Sequence, residues 1–375
     1  MNKMNKRILK SLASLKITVS CLALLFILVL WGTIAQVNGG LYLAQERFFN
    51  SLFFTVGGFI PFPGARLVLW VLFINLVCAA KVRLVYQWKQ AGIIITHIGL
   101  LLFFVSAFVI FHGSVESNIT LLEHAGTNVS TSYQSWELSI WTQDGNKRDV
   151  VALDTKFVNP GDALEFPEYG LSLNVEKYFS NCDAYTAVES PDQIQGYNPS
   201  GIKIIKPTAV SKEPERNFPG AVLTVKGAND PNFKFILYGG EPKPTIINKG
   251  KQQYYIMLRR KRFELPFIIT LKDFKKDVHP NTQMARSYES LVEIALKEGG
   301  TREILISMNE PLRHKSFTLY QASYGEDQFG RELSTLAVVE NTGRLLPYIS
   351  SLTVCFGLLV HLVLMGMKKR KRKHV

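Results

Sequence analysis

Residues 91–111 read AGIIITHIGLLLFFVSAFVIF, twenty-one residues with no formal charge and one histidine. A helix of that length rises about 32 Å. That is enough to cross the hydrocarbon core of a bilayer, roughly 30 Å thick. A chain carrying such a run is built around the membrane, and the rest of the sequence is organised by asking how many such runs it has. Residues 17–35, ITVSCLALLFILVLWGTIA, form a second run, and residues 346–367, LPYISSLTVCFGLLVHLVLMGM, a third. Residues 67–80, LVLWVLFINLVCAA, are shorter. Lys81 and Arg83 can snorkel, which extends the usable helix toward Tyr86. The basic MNKMNKRILK before the first run fits a signal peptide or a retained anchor. The apolar run is long for a signal peptide and no clear A-x-A site follows, so a retained span is expected.

The formal charge of +13 suggests nucleic acid until its placement is read. Residues 113–345 hold 27 basic and 29 acidic residues, whereas the flanks hold 16 basic residues and one acidic, Glu46. The excess belongs to the apolar ends and not to a folded basic face, which argues against a nucleic-acid partner. Basic residues cluster at Lys3–Lys16, at Lys81–Lys89 and at Lys368–Lys373, and the loop 37–64 carries only Arg47. Four spans put all three clusters on the cytoplasmic side, as the positive-inside rule requires. The expected organisation is a membrane region 1–112 with helices near 17–36, 66–86 and 91–111. An extracytoplasmic domain 113–345 follows, then a last helix and basic tail, 346–375. Within the loop, Phe48, Phe49, Leu52, Phe53 and Val56 recur at helical spacing before Gly57 and Gly58. That is either a short helix on the membrane surface or a packed connector.

Residues 113–345 read as β-rich. SWELSIWTQDGNKRDVVALDT has two alternating runs about an Asp-Gly turn. Short Val-, Ile-, Tyr- and Phe-rich runs follow, among them QQYYIMLRRKRF and FIITLKDF as separate strands. Antiparallel sheets of sandwich or barrel type are expected. Residues 189–215 are poor in large apolar side chains and read as a linker between two β halves. No catalytic set assembles here. His124, His279 and His314 are scattered, and RRKR at 259–262 reads as a solvated strand edge or, second, an acidic-partner patch. The four cysteines show no C-x-x-C pair, so thiol redox chemistry and structural zinc are not indicated. The absence of C-x-x-C-H means the chain is not itself a c-type cytochrome.

The membrane histidines are the candidate site. His97 lies eight residues after Lys89 and His361 seven before Lys368. Each is thus about 10–12 Å along its helix from a basic marker, which predicts a similar depth. An ionisable residue in a span is a functional candidate by default, and imidazole ligates haem iron. A hydrogen bond to a neighbouring helix is the competing reading, stronger for His361 than for His97. Gly92, Thr96, Gly99, Ser106 and Ala107 around His97 would let a helix or a flat ring approach. His112, at the far end of that span, reads as interfacial.

LASLKITVSCLALLFILVLWGTIAQ resembles the opening span of the ResB/CcsB family of system II cytochrome c biogenesis proteins. THIGLLLFFVSAFVIFHGSVESNITLLEHAGT resembles that family's third span and first outer strand. LPFIITLKDF, YES at 288–290, ISMNEPLRHKSFTLYQASYGED and GRLLPYISSLTVCFGLLVHLV resemble its C-terminal stretch, in the same order. The resemblance fades over 180–250. It implies a bacterial cytoplasmic-membrane protein that works with a CcsA/ResC-type partner. The pair carries haem b outward and joins it to apocytochrome c. The family's third-span histidine matches His97, the implied axial ligand of haem iron, and the second ligand would come from the partner. His361 has no such match and stands as a cofactor-binding candidate on depth alone. The partner family's tryptophan-rich haem-presenting motif is absent, so the chain is expected to be an accessory, non-catalytic half of the machine. Two other readings stay open: a β-domain scaffold or receptor without haem, and an electron-transfer subunit with a resident b-type haem between His97 and His361.

Overall fold

A computed structural model describes residues 3–145, 147–230, 232–280, 285–296 and 299–373. The chain falls into two compact units. One comprises residues 1–115, 313–318 and 339–375, and the other 116–312 and 319–338.

The first unit is helical. α1 (Lys3–Leu12) is a short basic helix, and α2 (Leu15–Gly39) follows it. Ser14 separates the two and caps α2 by accepting from Lys16 N–H. α4 (Ala65–Val82), α5 (Ala91–Gly113) and α6 (Leu346–Lys373) complete the set of long helices. Among the described residues, α2, α4, α5 with its lead-in turn and α6 through Met367 are long and apolar enough to cross a membrane. α4 stops short of the expected Tyr86. Arg83 is its C-cap, and Tyr86 donates its hydroxyl hydrogen back to Ala80 O, closing the end. The basic tail's last two residues, 374–375, lie outside the described residues.

The loop after α2 is a packed connector. α3 (Leu41–Ala44) and a wide helical turn (Gln45–Asn50) end before Ser51, and β1 (Phe53–Val56) pairs with β2 (Ile60–Pro63). The expected helix over 48–56 is therefore half helix and half hairpin. Gly57 and Gly58 turn the hairpin with φ of 62° and 85°, which side chains with a Cβ rarely adopt. Phe48, Phe54 and Phe62 pack around Trp31 of α2 at ring separations of 5.4–5.7 Å, geometry that favours edge-to-face contact.

The second unit is antiparallel β. Its strands begin with β3 (Ser114–Leu122), β4 (Gly126–Asp144), β5 (Lys147–Asp154), β6 (Ala163–Phe166), β7 (Leu171–Phe179) and β8 (Cys182–Tyr185). β9 (Ile204–Pro207), β10 (Gly220–Lys226), β11 (Lys234–Tyr238), β12 (Thr245–Lys249) and β13 (Gln252–Val278) follow. β14 (Ala285–Leu296), β15 (Thr301–Ser307), β16 (Leu312–His314), β17 (Phe317–Glu326) and β18 (Glu332–Asn341) end the series. The main sheet runs β15-β14-β13-β4-β3-β18-β17-β16, with β12 on β13 and β5 on β4. A smaller sheet runs β11-β10-β7-β6. Leu138, Ile140, Ile256 and Leu258 of the large sheet share one core with Leu173, Val175, Leu223, Val225 and Phe235 of the small one. This is the sandwich alternative, and neither sheet closes into a barrel. Each of these side chains contributes about 1.5–3 kcal/mol by leaving water.

Two expectations change here. The runs at 252–263 and 267–274 form one strand, β13. Pro266, which has no N–H to give the ladder, falls where pairing with β4 jumps from Glu264 to Ile269. The stretch 189–215 is not a free linker. β9 inside it pairs with β8, and Ile202 and Ile205 are buried with Cys182, Val222 and Ile236.

Candidate functional site in the helical unit

α5 has two faces with different chemistry. Gly92, Gly99 and Ser106 recur every seven residues and are buried. A repeat of 3.5 residues per turn holds one seam along a partner helix. That partner is α6. A Cβ on Gly92 would lie 2.3 Å from His361 N, one on Gly99 2.8 Å from Val354 N, and one on Gly357 2.6 Å from Thr96 N. Only residues without bulk allow such an approach, which is how helices associate where apolar burial gives no net drive.

His97 is on the other face. It lies five residues beyond Gly92, about 140° round the helix and about 7.5 Å along it. The half-buried ring lines a cavity of ≈ 370 Å³ between α2, α4 and α5, together with Thr18, Asn75, Arg83, Leu100 and Phe104. His97 Nδ1 is 2.8 Å from Ile93 O. A carbonyl only accepts, so Nδ1 carries the hydrogen and the neutral ring presents its Nε2 lone pair. Backbone fixing of one ring nitrogen is the usual way a protein orients an imidazole for a metal.

The other polar groups of the cavity divide into used and unused. Asn75, 4% exposed, donates to Leu12 O and Ser14 O and accepts from the Thr18 hydroxyl. It ties the α1–α2 corner, and both of its amide hydrogens are used there. Arg83 has no hydrogen-bond or ion-pair partner for its guanidinium among the described residues. The cavity therefore offers apolar walls, one oriented nitrogen lone pair and one uncommitted cation. That donor set suits a flat apolar metal complex with carboxylate edges, as haem is.

His361 is placed differently from the depth-based expectation. Its backbone is the surface against which Gly92 packs, on the α6 side of α5. The two histidines are more than one helical turn apart along α5 and face different neighbours, and His361 does not line the His97 cavity. The structure thus assembles a site around His97 and leaves His361 in the seam. Sequence reading missed Arg83 as a site residue, having treated it as a snorkelling flank. Its position one residue past α4, before the turn leading into the histidine helix, was the available signal.

The basic run at 259–262 is neither a solvated edge nor a free patch. Arg259 Nε donates to Glu137 at 2.8 Å, with both side chains nearly buried, and Lys261 Nζ reaches Asp154 at 3.0 Å. Arg260 sits 4.1 Å over the Trp136 ring and donates to Tyr133 O.

Four membrane-length helices and an antiparallel β sandwich define the class, a polytopic membrane protein with a large β domain. Residues 237–344, from the end of β11 to the loop before α6, match the model of the ResB-like family. That family is associated with cytochrome c biogenesis. The matched stretch lies within the C-terminal half and does not include His97. No curated protein matches the chain.

Proposed function

We propose that this chain is the haem-handling subunit of a membrane cytochrome c synthase. It works with a CcsA/ResC-type partner, with both termini cytoplasmic and the β domain outside the bacterial cytoplasmic membrane. The observation that carries the reading is the His97 ring, held by Ile93 O with Nε2 free at an apolar cavity that also holds Arg83. Haem b is cargo in this reading. His97 Nε2 supplies one axial bond to iron, and Arg83 pairs with a propionate. The walls from Leu100 and Phe104 keep water from the porphyrin face. The second axial ligand and the thioether chemistry belong to the partner, and the β domain receives apocytochrome c. Axial imidazole also tunes the iron potential, which has to stay high enough for a reductant to keep the iron ferrous for thioether formation.

The test is the optical spectrum of the chain purified in detergent with its partner. His97→Ala is expected to lose the haem held in the cavity and to lower cytochrome c maturation at least tenfold, a typical cost for a lost metal ligand or its support. Added imidazole should restore part of both by refilling the axial position. Unchanged haem content and maturation in His97→Ala would remove the assignment. A complex without any Soret band would favour the scaffold reading.

A further inference from the structure

α1 carries an apolar row that the described residues leave uncovered. Met4, Ile8 and Leu12 recur every fourth residue and are 66%, 52% and 39% exposed. Side chains at i and i+4 lie one above the other, so the three form a single row two turns long. Arg7 and Lys10, both exposed, lie about 100° and 160° round the helix from Ile8. Lys3 and Lys6 belong to the same ten residues, and no acidic residue precedes Glu46. A helix this short is marginal in water on its own. An apolar row opposite a basic side is the pattern of helices that lie in the plane of a membrane surface.

The structure also fixes where the row sits. Ser14, with extended backbone (φ −72°, ψ 131°), breaks the chain between α1 and α2. α2 is of membrane length and begins at Leu15. The end of α1 is therefore within about 11 Å of a segment that crosses the hydrocarbon, the reach of three extended residues. α1 also touches α4, and Asn75 of α4 donates to the carbonyls of Leu12 and Ser14. The first of these is one of the carbonyls that a helix end leaves without a partner. α1 is thus tied at its last turn to two membrane-length helices and stays at the bilayer surface. Ala13 and Leu15 of this corner line the His97 cavity with Asn75, so α1 and the cavity share a wall.

We propose that α1 is an interfacial anchor for anionic phospholipid at the end of the bilayer where α2 begins. Met4, Ile8 and Leu12 enter the acyl boundary, and the basic side meets lipid phosphates with its aliphatic stems snorkelling along the row. Continuity with α2 and the sign of the charge select this occupant. A leaflet offers apolar chains and anions at that one depth. The inference goes beyond the haem reading and needs neither haem nor a partner subunit.

The experiment uses the full chain with Cys355→Ser, which removes the exposed thiol and leaves three buried ones. It is reconstituted in vesicles of phosphatidylcholine alone or of phosphatidylcholine with phosphatidylglycerol. A nitroxide at Ile8→Cys or at Lys10→Cys reports collisions with oxygen, which partitions into acyl chains, and with a neutral nickel chelate, which stays in water. In the phosphatidylglycerol vesicles the Ile8 label should meet oxygen and escape the chelate, and the Lys10 label should do the reverse. Arg7→Glu with Lys10→Glu, read at the Ile8 label, should lower the ratio of docked to free helix by roughly fivefold for each cation removed. Phosphatidylcholine alone should lower it in the same direction. Both vesicle faces have one composition, so the outcome does not depend on which side the termini face or on the haem reading. An Ile8 label open to the chelate in the anionic vesicles would overturn the anchor, because the row would then face water. A label shielded from oxygen and chelate alike would overturn it too, because protein would then cover the row. A docked label indifferent both to lipid charge and to the glutamate pair would overturn the assignment to anionic lipid.

Discussion

The two units spend their polar side chains in opposite ways. In the β unit, charged groups on the strands are committed to one another: Arg259 to Glu137, Lys261 to Asp154 and, at the surface, Lys234 to Glu176. In the helical unit, Asn75 is committed to the α1–α2 corner. The fixed imidazole of His97 and the guanidinium of Arg83 there keep a free end. A polar group at membrane depth is expensive, so its retention without an internal partner makes the helical unit, and not the basic run at 259–262, the candidate place for a ligand.

The contrast breaks most readily at the α5–α6 seam, because nothing there can move aside. A valine at Gly92 would drive a Cβ to 2.3 Å from His361 N, a backbone atom. Gly92→Val is expected to cost more than about 4 kcal/mol, the range reserved for backbone clashes and buried defects. Thermal unfolding in detergent should show the loss, with the haem signal lost alongside it. A variant that folds as the parent does would mean that the seam is not as close as described.

The committed pairs of the β unit can be broken next. Arg259 and Glu137 are 12% and 7% exposed at their side chains. Arg259→Met takes the paired cation from a buried carboxylate that then keeps only the Arg262 side of its contacts, and about 3 kcal/mol of stability should go. Replacing both residues by apolar ones should return most of it, with cytochrome c maturation following stability and not charge. If Arg259→Met folds normally yet fails in maturation, the basic run is a binding patch after all.

These two cases also show what could be read before the fold was known. The four spans were legible because length and hydropathy decide them without neighbours. The β class and the Asp144–Gly145 hairpin were legible from alternation and turn chemistry, and β4 does pair with β5 through Asp144 and Lys147. His97 stood out because an imidazole in an apolar run is costly anywhere. What could not be read were facts of the third dimension. The seven-residue spacing of Gly92, Gly99 and Ser106 is visible in the sequence, but its partner α6 lies more than two hundred residues away. That distance hid both the seam and the reason His361 sits in it. The fate of Arg259–Arg262 depended on Glu137 and Asp154, carried by other strands. The fusion of two expected strands into β13 depended on which neighbours pair on each side of Pro266.

Cys182 sharpens the comparison by a smaller margin. It is 2% exposed, and burial, aided by Asp183, pushes its thiol from an ordinary 9.0 up to about 12. The folded state thus keeps a proton that the unfolded chain releases, so the thiol's full contribution is present below about 9 and is lost as pH climbs toward 12. The stability lost is at most roughly 4 kcal/mol at the alkaline limit, and none of it is lost at neutral pH. Denaturant midpoints of the parent and of Cys182→Ala, measured across that window, should converge as pH rises. An unchanged gap would mean the thiol titrates normally. At neutral pH the folded chain should resist alkylation at Cys182.

The smallest effect is expected at His361. Its backbone forms the floor for Gly92, and backbone is unaltered by truncation of the side chain. The imidazole is half-buried at the seam and does not line the His97 cavity. His361→Ala should therefore shift stability by no more than about 1 kcal/mol, the centre of the range for substitutions that open no cavity. It should retain the haem spectrum that His97→Ala loses. Equal loss in both variants would be informative in a specific way. Only a ligand spanning both faces of α5 could report it, and a resident haem held between the two helices would then explain the spectra better than cargo held at one of them.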